Sequence, residues 1–280
     1  MSRIAQKFEA LKQDGRRALI PYITAGDPAP WVTVPLMHAL VKSGADVLEL
    51  GVPFSDPMAD GPVIQRAAER ALKHHVSLAQ VLALVREFRD KDNLTPVVLM
   101  GYLNPVEAMG YTRFATEAAD AGVDGVLTVD LPPEEAEALQ SALKPQHLDT
   151  IFLLSPTSPA ERIKLIAGAA SGFIYYVSLR GVTGAANLDV REVTAKLKEI
   201  RAHTKLPLGV GFGIGSPEAA AEVAAVADAV IVGSAVVRRM EEMAAKPDKI
   251  LSEVPAFIAR LREAMDRATL TPTSATGASR

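Results

Sequence analysis

The chain has 280 residues, 49% of them hydrophobic and 22% charged, which is enough apolar side chain to fill a sizeable core and excludes wholesale disorder. Thirty Lys and Arg against 33 Asp and Glu leave a formal net charge of −3. No broad cationic field awaits nucleic acid or anionic lipid, so a small molecule or another protein is the expected partner. The absence of cysteine excludes disulfides, thiolate zinc sites, iron–sulfur clusters and cysteine nucleophiles.

The N-terminus carries Arg3, Lys7, Glu9, Lys12 and Asp14 with no apolar run among them, and no later stretch is apolar over the roughly 18 residues of a membrane span. The expected location is the cytoplasm. An opening helix is predicted near Ser2–Gln13. Strands follow near Ala18–Ile23, Asp46–Leu50, Pro96–Gly101, Gly125–Val129, Thr150–Leu154, Phe173–Val177, Pro207–Gly211 and Ala229–Val232. Between them the periodicity predicts helices over Trp31–Lys42, Val63–Lys73, Leu78–Asp90, Thr112–Ala121, Pro133–Leu143, Pro159–Ala169, Val190–Ala202 and Pro217–Val226. Pro133, Pro159 and Pro217 fall near first helical turns, and Gly44 and Gly122 where helices must stop.

A weak internal echo runs through the chain. Ser43-Gly44-Ala45-Asp46, Ala121-Gly122-Val123-Asp124 and Val226-Ala227-Asp228 each pass a helix into a buried strand. Eight βα units in about 250 residues predict an α/β chain folded as a single (β/α)8 TIM barrel with an extra N-terminal helix. A doubly wound sheet would carry a glycine fingerprint after its first strand, and Thr24-Ala25-Gly26-Asp27-Pro28 is not one. The barrel is expected over residues 1–268, with 269–280, rich in Thr, Ser, Gly and Ala, as a disordered tail.

In such a barrel chemistry belongs at the C-terminal ends of the strands. The loop after strand two, LELGVPFSDPMADGP, puts Glu49 between Leu48 and Leu50, where a carboxylate must be paired, raised in pKa, or both. Asp56 and Asp60 follow, and each is equally well read as a turn residue or, for Asp60, a helix cap. Strand seven ends in GVGFGIGSPE and strand eight in VGSAVV. These glycines free backbone N–H groups to surround a phosphate without a lysine, and no basic residue is read at either mouth. The Gly-rich segment after strand six, Ser178 to Gly184, reads as a lid or as an ordinary long connection.

No lysine ends a strand, which argues against a Schiff-base aldolase, and His38, His74, His75, His147 and His203 form no ligand cluster, which argues against a metal-dependent one. Carboxylate acid–base chemistry on a phosphorylated small molecule remains. Tyr22, Met100, Leu127, Val129, Leu153, Tyr175 and Phe212 are placed to line a flat apolar pocket, though each taken alone is ordinary core.

LELGVPFSDPMADGP, the GYLNP of Gly101 to Pro105, the GVTG of Gly181 to Gly184, and GFGI followed by VGSA resemble the tryptophan synthase α subunit family, over about residues 1 to 268. The resemblance implies a barrel enzyme that cleaves indole-3-glycerol phosphate to indole and glyceraldehyde 3-phosphate with no metal or organic cofactor on this chain. It implies a β subunit that carries pyridoxal phosphate and receives the indole, in an α2β2 assembly.

Carried onto this sequence, it makes Glu49 the acid–base catalyst, Asp60 the carboxylate facing the indole nitrogen, Gly184, Gly213, Gly233 and Ser234 the phosphate contacts, and Tyr175 a substrate neighbour. Thr183 resembles the lid residue that meets Asp60 on closure. Asp56, Pro57 and Asn104 match the contact regions for the β subunit. Leu179 and Arg180 depart from the family pattern in the lid, and Tyr22 and Met100 stand where other members carry Phe and Leu. The alternatives are a stand-alone indole-glycerol phosphate lyase and a non-catalytic phosphate-binding barrel.

Overall fold

The structure, a computed structural model, describes residues 2–178, 190–211 and 213–270. In chain order the elements are α1 (Arg3–Gln13), β1 (Ala18–Thr24), α2 (Pro30–Lys42), β2 (Leu48–Gly51), α3 (Pro62–Leu72), α4 (Leu78–Arg89), β3 (Val97–Gly101), α5 (Leu103–Met109), α6 (Tyr111–Ala121) and β4 (Gly125–Thr128). There follow α7 (Glu137–Leu143), β5 (Asp149–Leu154), α8 (Ala160–Ala169), β6 (Ile174–Val177), α9 (Val190–Arg201), β7 (Leu208–Gly211), α10 (Pro217–Ala224), β8 (Ala229–Val232), α11 (Ser234–Glu242) and α12 (Ile250–Leu270). The eight strands pair in sequence order as a closed parallel barrel, and β8 returns to β1 from Ala18↔Ala229 to Pro21↔Val232. This is a TIM barrel with α1 added at its N-terminus.

Alternate side chains of each strand face opposite sides, which sorts the core into two layers. Ala18, Ile20, Val47, Val98, Leu127, Ile151, Phe173, Ala229 and Ile231 pack inside the barrel. Leu19, Leu48, Leu50, Leu99, Val126, Leu154, Val210 and Val230 face the helices. Helix α1 plugs the N-terminal mouth: Ile4, Phe8 and Leu11 join the inner cluster, Phe8 lying 5.8 Å from the Phe173 ring. Its cap Ser2 accepts from Ala5 N–H and donates to Asp149 at 2.7 Å.

The three echoes share one physical task. Asp46 Oδ2 accepts from Leu19 N–H of β1 at 2.9 Å, Asp124 Oδ2 from Val97 N–H of β3 at 2.8 Å, and Asp228 Oδ2 from Leu208 N–H of β7 at 2.9 Å. Each carboxylate thus satisfies an amide at the start of the preceding strand and takes an arginine as well: Arg262, Arg89 and Arg201 respectively. Gly122, at φ +86°, ends α6 in the left-handed region, and a Cβ there would lie 2.8 Å from the Arg89 side chain that meets Asp124.

Three helices fall outside the elements read from the sequence: α5, α11 and α12. Asn104-Pro105 gives α5 the look of a turn, and Gly233-Ser234 does the same for α11. Helix α12 buries Ile250, Val254, Phe257, Ile258, Leu261 and Met265 along one stripe against α10 and α2. At about 1.5–3 kcal/mol per fully buried large apolar side chain, that stripe outweighs the one hydrogen bond lost at Pro255. Because α12 runs to Leu270, Thr269 and Leu270 belong to a helix and not to a tail; the rest of that expected tail, 271–280, lies outside the described residues. Pro133 sits in a turn, and α7 begins only at Glu137. No described helix is long and apolar enough to cross a membrane.

Candidate active site

At the C-terminal mouth the inner layer opens into a cavity of about 610 Å³, within the usual range for a small-molecule site. Glu49 stands on its floor. Its β2 neighbours in register are Tyr22 on β1 and Val98 on β3, and it is 1% exposed. Among the described residues no donor reaches its Oε1. Burial without a partner disfavours the charged form, and with Asp60 adding like-charge repulsion the carboxyl is pushed up to about 8. At neutral pH Glu49 therefore holds its proton.

Asp60 lies in the loop between β2 and α3, half-buried at the same cavity. Burial raises its pKa, while Tyr102 Oη, donating to Asp60 Oδ2 at 3.0 Å, opposes that by favouring the carboxylate. Tyr102 also accepts from Ala59 N–H at 3.0 Å and stacks on Phe54 at 5.1 Å between centroids, so one phenol fixes the loop at two points. The helix-cap reading of Asp60 fails: the N-cap of α3 is Gly61 and no side chain caps it. Asp56 and Asn104 are exposed and Pro57 is half-buried, all outside the cavity lining.

Tyr22, Met100, Val129, Leu153 and Tyr175 all line the cavity. Leu127 does not: it is fully buried in the inner cluster, two residues below Val129 on the same face. The two phenols depend on glycines at neighbouring strand ends. A Cβ on Gly51 would fall 2.1 Å from Tyr22 Oη, and one on Gly211 2.3 Å from Tyr175 Oη. Tyr102, Gly51 and their contacts escaped the sequence reading; a glycine closing a strand beside an aromatic one was the available signal.

Gly213, Gly233 and Ser234 line the cavity as well. Gly213 adopts φ +76°, a conformation that strains any other residue. Helix α10 is capped by its own Ser216, whereas the N-cap Gly233 of α11 offers no side chain. In α11 Val236 and Val237 donate to Gly233 O, which leaves the Ser234 and Ala235 amides of the first turn without an intrahelical acceptor. Contrary to the sequence reading, basic side chains do border this cavity: Arg162 of α8, which is ion-paired to Glu134, and Arg238 of α11. Thr183, Gly184 and Phe212, together with Leu179 and Arg180, lie outside the described residues.

Behind the wall, α3 and α11 are tied together. Arg70 makes two hydrogen bonds to Asp27, at 2.6 and 3.0 Å, and a third to Glu241 at 2.9 Å, and Arg66 grips Glu241 at 2.6 and 2.8 Å. Hydrogen bonds from Arg66 hold the Glu241 carboxyl down to about 2.

The model of the tryptophan synthase alpha chain family matches residues 8–266. The chain belongs to that family. The tryptophan synthase alpha chain of Thioalkalivibrio sulfidiphilus is 65% identical over 95% of this chain and 100% of its own length, and that of Nitrosococcus oceani 60% identical over 95% and 98%. Among solved structures, the tryptophan synthase subunit alpha of Legionella pneumophila superposes with a TM-score of 0.89 at 50% identity, covering 95% of this chain and 99% of that one. Mycobacterium tuberculosis tryptophan synthase gives 0.84 at 38% identity, covering 94% and 98%.

As a tryptophan synthase alpha chain, the protein is a lyase of tryptophan biosynthesis that cleaves indole-3-glycerol phosphate and passes indole to a β subunit. The fit to the cavity is chemical. The cavity brings together a flat apolar wall, two carboxyl groups and the first-turn amides of α11, a chemistry compatible with an apolar ring that carries a phosphate.

Proposed function

We propose that Glu49 and Asp60 divide the retro-aldol cleavage between them. Glu49, protonated at neutral pH, delivers its proton to indole C3. The ring becomes an indoleninium cation, and Asp60, whose carboxylate form the Tyr102 hydroxyl favours, stabilises the positive charge at the ring nitrogen. The Glu49 carboxylate then removes the C3′ hydroxyl proton. The C3–C3′ bond breaks, its electron pair restores the aromatic indole, and the hydroxyl oxygen becomes the aldehyde of glyceraldehyde 3-phosphate. Glu49 ends the cycle protonated, as it began. Such a division of labour requires two carboxyl groups in one cavity with different surroundings, and here Glu49 is buried without a partner while Asp60 accepts from Tyr102.

The observation that carries this reading is the buried, unpaired Glu49 opening onto the cavity shared with Asp60. Gly213, Gly233 and Ser234, with Gly184, hold the phosphate. Tyr22, Met100, Val129, Leu153, Tyr175 and Phe212 flank the indole, with Leu127 supporting them from below, and Thr183 meets Asp60 when the lid closes. No cofactor is needed on this chain for these proton transfers, and pyridoxal phosphate belongs to the β subunit. Asp56, Pro57 and Asn104 form the face for that subunit in a cytoplasmic α2β2 assembly.

The test is indole release by the purified chain, followed by Glu49→Gln. The variant is expected to fold, to bind glycerol phosphate, and to lose about 10²–10⁴-fold in turnover. Retention of more than about a tenth of the activity would remove Glu49 from the mechanism.

A further inference from the structure

We propose that Arg238 is the specificity-determining cation for the phosphorylated end of the substrate. The inference rests on the phosphate site described above and adds to it a side chain that acts from one helical turn away. Ser234 and Arg238 are four residues apart on α11, so they share a face with Cβ atoms about 5–6 Å apart. Side chains of a helix lean towards its N-terminus, which carries the Arg238 guanidinium back over the turn that begins at Gly233 and Ser234. The cavity lining bears this out, because it takes in Gly213, Gly233, Ser234 and Arg238 together.

What separates Arg238 from the other cations nearby is that nothing already holds it. Arg162 lines the same cavity but is ion-paired to Glu134. Arg239, its chain neighbour, donates to Ala235 O at 2.7 Å and lies 3.6 Å over the Phe257 ring. Arg66 and Arg70 are spent on Glu241 and Asp27. Arg238 is exposed and makes no hydrogen bond or ion pair with any described residue.

A phosphate monoester near pH 7 carries about −1.5 to −2 charges, and two or three backbone amides with a helix dipole offer only partial charges in return. A guanidinium supplies the missing whole charge and donors shaped for phosphate oxygens. Being solvent-exposed, it acts on capture and retention of the phosphorylated molecule, while the proton transfers at Glu49 proceed without it. Selectivity for phosphorylated over unphosphorylated indole compounds is the property it sets.

The experiment compares the full-length chain with Arg238→Gln and Arg238→Lys. Steady-state cleavage of indole-3-glycerol phosphate is measured at low and high salt, along with inhibition by glycerol 3-phosphate and by unphosphorylated indole propanol. In Arg238→Gln the KM and the inhibition constant for glycerol 3-phosphate are expected to rise about fivefold, the scale of one partly exposed charge pair, with kcat within about twofold. Indole propanol inhibition should not change, Lys should restore most of the loss, and the salt dependence of KM should flatten in the Gln variant.

An unchanged KM would overturn the proposal, and so would equal weakening towards indole propanol, which would mean a disturbed cavity. If the unmodified chain cleaved no substrate and bound no glycerol 3-phosphate, the phosphate site itself would fall, and Arg238 with it.

Discussion

The two ends of the barrel treat the same functional group in opposite ways. At the N-terminal end Asp46, Asp124 and Asp228 are each met by a strand amide and an arginine, so burial costs are offset by directed donors. At the C-terminal end Glu49, on β2 three residues after Asp46, is buried still more deeply and among the described residues meets no donor at Oε1. Carboxylates that are satisfied lock the fold, and a carboxylate that is left wanting is available to move a proton. Asp60, held through a single Tyr102 hydroxyl on one oxygen, stands between the two cases.

The sharpest way to test that contrast is to remove charge at one end at a time. Asp60→Asn is expected to slow single-turnover cleavage by about 10²–10³-fold, the scale of a lost electrostatic contact to a developing charge, while glycerol phosphate binding and thermal unfolding stay near those of the unmodified chain. Unchanged cleavage would reduce Asp60 to a loop residue.

Asp124→Ala should give the reverse pattern. It removes the carboxylate that pairs Arg89 and Arg3 and the acceptor of the Val97 amide, and should cost on the order of 3 kcal/mol in urea unfolding, with kcat of the folded fraction kept within a few-fold. A large kcat loss with full stability would erase the distinction between the ends.

The third test reads Glu49 through stability. Its pKa is raised in the folded chain, so its favourable share is complete below the unfolded value near 4.5 and is lost as pH climbs to about 8. Glu49→Gln carries no such loss. Denaturant titrations at the two pH values should show the variant changing little relative to the unmodified chain near pH 4.5 and gaining on it above pH 8, by a few kcal/mol and at most about 5 kcal/mol. A constant difference across that window would mean that Glu49 is ionised in the folded chain.

The smallest effect concerns the rim. Asn104→Lys, on an exposed position of α5, should weaken association with a cognate β subunit by about tenfold while leaving cleavage by the isolated chain intact. Undiminished association would move the interface elsewhere and leave the chemistry standing.

Much of this was legible in the residues because it follows from period and punctuation. The alternation of strand side chains puts Tyr22, Glu49, Met100, Val129, Leu153 and Tyr175 on the inner face near the open end, and the cavity gathers them. The echo ending in Asp46, Asp124 and Asp228 was visible, but its purpose was not. The acceptors serve amides 27, 27 and 20 residues earlier, across parallel strand pairs that exist only once the fold has brought the strands together. Leu127 was misplaced by one layer because period fixes a face and not a depth. Arg238 was invisible for a related reason: without α11 in the reading, nothing turned it back towards Ser234.

The clasp of Arg66 and Arg70 on Asp27 and Glu241 has a consequence for what the cavity can accept. Helix α3 starts just after Asp60 and α11 starts at Ser234, and the clasp sets the spacing between the two starts from behind. The pair acts as a calliper with one jaw beside Asp60 and the other at Ser234. If, as proposed, one jaw meets the indole nitrogen and the other the phosphate, compounds are sorted by span as well as by chemistry.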